Sequence, residues 1–158
     1  MPAYFLDSSA LVKRYVNEVG TVWIQALTRT TTGHLIWISR ITTIEVVAAL
    51  ARRVRTGSLT PHDAAIAIAQ FKAEIATDFR IMELTQALAN RAIQVAETHQ
   101  LRGYDALQLA AALQTQDKLL ARGVITSSFP YTLISADAEL NAAAALEGVA
   151  VDDPNNHP

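Results

Sequence analysis

Short β-forming runs that alternate with longer helical patterns predict an α/β fold: one domain, with a parallel sheet of about five strands and helices on both faces. Three observations carry this. Leu35-Ile36-Trp37-Ile38 is apolar without alternation, as a strand buried on both faces reads. Between such runs lie segments whose Ala, Leu, Ile and Val recur at helical spacing. A chain of 158 residues is the length of a single domain, enough to bury roughly two thirds of its unfolded surface.

Ala3–Leu6 is the first predicted strand, and Asp7 ends it. A helical stretch follows through Tyr15, with Ser8 or Ser9 near its cap and a turn near Asn17–Gly20. Thr21 to about Arg29 is helical, with Val22, Trp23, Ala26 and Leu27 on one face. After the break at Thr30–Gly33, Leu35–Ile38 is strand two. Ile41–Arg55 is a helix that ends in basic residues before Gly57, which suits its negative C-terminal pole. Thr60-Pro61-His62-Asp63 combines a cap, a first-turn proline and an acid at the third position, so a helix starts there and runs to about Thr77. Phe79–Leu84 is strand three, and Thr85 caps a helix over Gln86 to about His99. Leu101–Tyr104 breaks the pattern before a helix over Asp105–Gln116, and Asp117–Tyr131 reads as a looser connection. Thr132–Ser135 is strand four; Ala138 to about Leu146 is a helix stopped by Gly148; Val149–Val151 is strand five. The domain therefore covers 1–151, and 152–158 reads as a loose polar tail.

Composition removes several classes of function. No run approaches the roughly 18 apolar residues of a membrane helix. The N-terminus has no basic stretch and Asp7 interrupts its apolar run, which argues against a signal peptide. There is no cysteine, hence no disulfide and no thiolate metal site, and a cytoplasmic location fits. A net charge of −2 argues against a basic nucleic-acid coat protein, but the balance turns positive once four acids are neutralised by a metal. The glycines are scattered, so no phosphate-binding loop or nucleophile elbow exists, and His34, His62, His99 and His157 lack ligand spacing.

The chemistry then rests on Asp7, Glu45, Asp105 and Asp137. Each has an ordinary reading beside the functional one. Asp7, Asp105 and Asp137 can be helix caps, and Glu45 can be the far half of a capping box with Thr42, although Ser39 is an equally good cap. Jointly they say more. Each stands at or near a strand-to-helix junction or a helix start, and in a parallel sheet such junctions share one edge, where open α/β folds bind ligands. Four carboxylates crowded there repel one another unless a cation intervenes, and all-oxygen ligands suit Mg²⁺ or Mn²⁺ rather than zinc. Such a site activates water against a phosphodiester. Arg40 and Arg102 flank it as phosphate contacts, whereas Arg52, Arg53 and Arg55 read more simply as a solvated helix end.

These residues resemble the PIN-domain ribonucleases, most closely the VapC-like toxins of bacterial type II toxin–antitoxin pairs. The matching segments are Tyr4-Phe5-Leu6-Asp7-Ser8-Ser9-Ala10-Leu11-Val12-Lys13; Ile44-Glu45-Val46 with Ala48-Ala49-Leu50; Tyr104-Asp105-Ala106-Leu107-Gln108-Leu109-Ala110; and Ser135-Ala136-Asp137 with Leu140, Ala143-Ala144 and Gly148. The resemblance implies a PIN-like three-layer sandwich with strand order 3-2-1-4-5. It implies that Asp7 and Asp105 are core ligands of Mg²⁺ or Mn²⁺, that Asp137 completes or orients the site, and that Glu45 ligates the metal or positions its water. Ser9 matches a hydroxyl that supports the first acid. It also implies an RNA substrate, a small cognate antitoxin and a homodimer. The Lys118–Tyr131 connection is longer than in many relatives.

Two other readings compete. An acid-pocket phosphohydrolase wants a second Asp two residues after the first, where this chain has Ser9. A non-catalytic module would use the acids as caps or as a socket for a partner's arginine.

Overall fold

The computed structural model describes residues 1–158. Five strands, β1 (Ala3–Leu6), β2 (Leu35–Ser39), β3 (Arg80–Met82), β4 (Tyr131–Ile134) and β5 (Ala150–Asp152), form one sheet in the order β3-β2-β1-β4-β5. Every neighbouring pair is parallel, as the helical crossovers require. The helices are α1 (Ser8–Leu11), α2 (Thr21–Leu27), α3 (Arg40–Arg55), α4 (Pro61–Thr77), α5 (Gln86–His99), α6 (Gly103–Ala121) and α7 (Ala138–Leu146). No helix is long and apolar enough to cross a membrane.

Because successive strand residues point to opposite faces, the two faces are built from interleaved side chains. Ala3 and Phe5 of β1, Trp37 of β2 and Tyr131 and Leu133 of β4 join a core completed by Leu88 and Val95 of α5, Leu109 and Leu113 of α6 and Leu140 of α7. Leu6, Ile36, Ile38 and Ile134 face the other way, onto Leu11 of α1, Val46 and Leu50 of α3 and Phe71 of α4. The sheet is thus the middle of three layers, and β1, its central strand, contributes to both cores. Phe5 lies in register with Trp37 on one side and Leu133 on the other.

Strand one, α4, α5 and α7 keep the bounds read from sequence. Other boundaries move. α6 starts at Gly103, two residues before Asp105, and runs to Ala121 rather than Gln116. Glycine is tolerated at a first helical position, where no intrahelical donor is lost, and buried Leu119 carries the apolar face past the polar Gln114–Lys118 stretch. The loose connection shrinks to 122–130, pinned by a Thr126–Phe129 bridge. The first helix is one α-turn followed by a 3₁₀ turn over Val12–Arg14.

The tail is seated, not loose. Pro154–Asn156 form a 3₁₀ turn capped by the Asp153 carboxylate, and Pro154 is buried. Lys13, only 7 % exposed, donates from Nζ to the Asn155 side-chain oxygen at 2.9 Å and to the Val19 carbonyl at 3.0 Å. His157 stacks on Trp23 with ring centroids 4.0 Å apart. Gly20 makes the approach possible: its φ is +87°, and a Cβ there would stand 2.4 Å from the Pro154 carbonyl oxygen.

Deleting 153–158 leaves a buried ammonium short of an acceptor, a loss of about 2 kcal/mol. The melting temperature is expected to fall by several degrees in a thermal scan. Gly20→Ala should destabilise the full chain more than the truncated one, since truncation removes the clash and leaves only the φ strain; equal losses in both backgrounds would show that the tail does not seat here.

Candidate active site

The C-terminal edge of β1 and β4 builds the site. Asp7 leaves β1, and its backbone N–H still donates to the Ile134 carbonyl of β4. Its carboxylate turns inward and caps α1, accepting from the Ala10 N–H at 3.0 Å and from Ser9 Oγ at 2.8 Å. It is 3 % exposed, and burial pushes its pKa from 3.8 up to about 7, against the pull of hydrogen bonds from Ser9, Ala10 and Ser135. Ser9 also accepts from the Ala136 N–H at 2.9 Å. One hydroxyl thereby ties the exit of β1 to that of β4. Beyond it, Ser135 Oγ accepts from the Asp137 N–H at 3.0 Å, and Asp137 caps α7 through Leu140 N–H at 2.9 Å.

Glu45 and Asp105 come from the helices on either side. Ser39 caps α3, and Thr42 bonds Gln108 instead of joining a capping box, so Glu45 is free to face the edge. Gln108, buried in α6, donates from Nε2 to Glu45 at 2.6 Å and to Thr42 at 2.9 Å, fixing the Glu45 side chain. Asp105 is the third residue of α6 and caps nothing; Arg102 holds the cap position without a side-chain bond. Burial raises the pKa of Glu45, against hydrogen bonds from Gln108 and Ser8, with a smaller upward push from Asp105. Burial raises Asp105 too; the charges of Asp137 and Glu139 add to it, and Arg102 opposes them.

All four predicted acids therefore belong to one edge, but they do not meet at a point: no three of them close onto a shared position as they stand. Asp7, Glu45 and Asp137 are each held by local donors, and Asp105 by none. The donor set is all carboxylate oxygen, which fits a hard divalent cation.

A cleft of about 450 Å³ lies beside the edge, lined by Ser8, Ser9, Glu45, Ala48, Arg52 and Tyr104. The arginines divide differently from the sequence reading. Arg40, expected at phosphate, is committed to a bidentate pair with Glu83. Arg53 pairs with Glu18. Arg52, read as solvated helix end, is the one that reaches the cleft, and Arg102 stays without an ion pair next to Asp105. Sequence reasoning also passed over Gln108, Ser135 and Glu139. The polar Gln108 inside an Ala- and Leu-rich helix face was the signal for the first; Ser135 lies in a matching segment that was read for Asp137 alone, and nothing in the pattern marks Glu139.

Comparison with known proteins bears on the fold and the family. The ribonuclease VapC45 of Mycobacterium tuberculosis (strain CDC 1551 / Oshkosh) is 37 % identical over 117 residues, 74 % of this chain and 79 % of that protein. FitAcB from Neisseria gonorrhoeae shares the fold with a TM-score of 0.64 at 20 % identity, over 96 % of this chain and 97 % of that one. A toxin–antitoxin complex from Klebsiella pneumoniae does so with a TM-score of 0.59 at 20 % identity, over 96 % and 97 % of the two chains. The family model of the PIN domain matches residues 4–146, nearly the whole chain, and the protein belongs to the PIN-domain family.

Proposed function

We propose that this protein is a divalent-metal-dependent endoribonuclease that hydrolyses RNA phosphodiesters, and that it is the toxin of a type II toxin–antitoxin pair. One observation carries the metal dependence: Asp7, Glu45, Asp105 and Asp137 form no ion pair, although the chain spends Lys13 and Arg14, Arg40, Arg53 and Arg91 on other acids. A buried carboxylate left without a counter-charge is costly. Here three neighbouring carboxylates are pushed toward their neutral forms. Such an edge is short of positive charge, and a cation supplies it.

Asp7 and Asp105 would hold Mg²⁺ or Mn²⁺, with Asp137 and Glu45 completing or orienting the set. When bound, the metal acidifies a water and offsets charge on the phosphodiester. The chain's own residues do the rest. Ser9 holds the Asp7 carboxylate in place, Gln108 holds Glu45, and Arg52 and Arg102 neutralise phosphates on either side. The relative named a ribonuclease and the complex named toxin–antitoxin support the RNA substrate and a small cognate antitoxin. An antitoxin arginine pairing with the acids would inhibit by replacing the metal's charge. A homodimer acting in the cytoplasm completes the reading.

Three outcomes are expected. Purified protein cleaves RNA with Mg²⁺ or Mn²⁺ and stops with chelator, and Asp7→Asn or Asp105→Asn lowers the rate by roughly a hundredfold or more; equal cleavage in all four conditions would sink the metal mechanism. Arg52→Ala raises KM and lessens its salt dependence, while Arg40→Ala leaves both near wild type.

The third concerns pH. An acid whose folded pKa is raised binds its proton more tightly in the native state. The metal-free protein therefore loses stability as pH rises from about 4 to about 7, by at most about 4 kcal/mol through Asp7. In chelator, Asp7→Asn should melt higher than wild type at pH 8 and differ much less at pH 4, with Mg²⁺ restoring the wild type at pH 8. A pH-independent difference between the two proteins contradicts the burial of an ionisable Asp7.

A further inference from the structure

Tyr104 is 63 % exposed at the first turn of α6, the residue before Asp105. Its ring lines the cleft that holds Ser8, Ser9, Glu45 and Arg52. It equally lines a second cleft of about 410 Å³, mostly apolar, built from Leu84, Ala92, Arg102 and Leu107. The two clefts thus meet at this ring, and each has an arginine in its lining: Arg52 in one, Arg102 in the other. Neither guanidinium is held by an ion pair. Leu84, 52 % exposed, extends the apolar wall into solvent.

We propose that Tyr104 is a stacking platform for one nucleobase of a single-stranded RNA that crosses the acidic edge, with the Leu84–Leu107 cleft receiving that base. The inference rests on the ribonuclease reading and adds a base-recognition subsite to it. Single strands bind proteins by this combination: charged groups along the backbone and an aromatic face for an unstacked base. A strand with phosphates near Arg52 and Arg102 runs from one cleft into the other along the ring they share. The apolar floor behind Tyr104 suits the flat face of a base and does not suit a phosphate. Continuity with the acidic edge favours a strand over a second copy of the chain as the occupant. The contact is a matter of stacking rather than of edge hydrogen bonds, so it selects for the presence of a base more than for its identity.

The test compares hexauridylate with a hexamer of stable abasic residues on the same phosphodiester backbone. Binding is read by fluorescence anisotropy with Ca²⁺ in place of Mg²⁺, so that the strand stays whole. The wild type should bind the base-bearing strand about tenfold tighter or more. Tyr104→Ala should erase that difference, and Tyr104→Phe and Tyr104→Trp should keep it, all three melting close to the wild type because the ring is exposed. Equal affinity of the wild type for both strands, or a preference that persists in Tyr104→Ala, overturns the platform and leaves the nuclease reading intact. If Tyr104→Ala instead splits a dimer on size exclusion, the surface belongs to a second copy and the platform is wrong. No binding of either strand overturns the ribonuclease reading itself, and this one with it.

Discussion

A carboxylate buried at the end of the central strand is the constraint from which the rest of the site follows. Asp7 cannot move far: its main chain belongs to the β1–β4 ladder, and its side chain caps α1. Ser9 then fastens the same carboxylate to the backbone that leaves β4. Two strands distant in sequence are locked at the same height, so that Asp7 and Asp137 leave the same edge without any direct bond between them. The arrangement stands on a sheet whose two faces are both packed, so the edge rests on rigid elements rather than on loops.

The distribution of charge follows from the same constraint. An arginine locked in an ion pair with Asp7 or Asp105 would neutralise that acid permanently; Arg102 lowers the pKa of Asp105 without forming such a pair. The chain instead commits Arg14 to Glu74, Arg40 to Glu83 and Arg53 to Glu18, away from the four acids. Gln108 does for Glu45 what an arginine could not. It holds the side chain through a neutral amide and leaves the negative charge in place. The removable counter-charge proposed for this edge requires orienting groups that are uncharged, and Ser9, Ser135, Gln108 and Thr42 are.

Much of this could be read from the residues. Thr60-Pro61-Asp63 predicted a helix start and Thr60 does cap Asp63, because capping is local chemistry. Strand order was what the resemblance implied, and the sheet has that order. What misled was context. Gly103 looked like a break because glycine disfavours helix interiors, yet at a first turn its missing side chain is no penalty. The polar tail looked loose because nothing local holds it; its partners, Lys13, Gly20 and Trp23, lie more than a hundred residues away. For the same reason Arg52, not Arg40, is the arginine that lines the cleft. Proximity in sequence to Glu45 favoured Arg40, but Glu83 after β3 claims it, and the helical repeat brings Arg52 back to the Glu45 face two turns later.

The tail and the site are less separate than their distance in sequence suggests. The segment from Asp7 to Lys13 is a single turn of α-helix continued as a 3₁₀ turn, far too short to be stable alone. Its first residue is fixed by β4 through Ser9, and its last is fixed by Asn155. Glu18 meets Lys13 on one side and Arg53 on the other, linking the same segment to the basic end of α3, whose Glu45 and Arg52 face the cleft. A short helix that cannot hold its own shape is thus held at both ends by residues from the last strands and the terminus. The position of Ser8 and Ser9 in the cleft depends on both anchors. The C-terminal residues thereby brace the segment that carries Asp7 and Ser9.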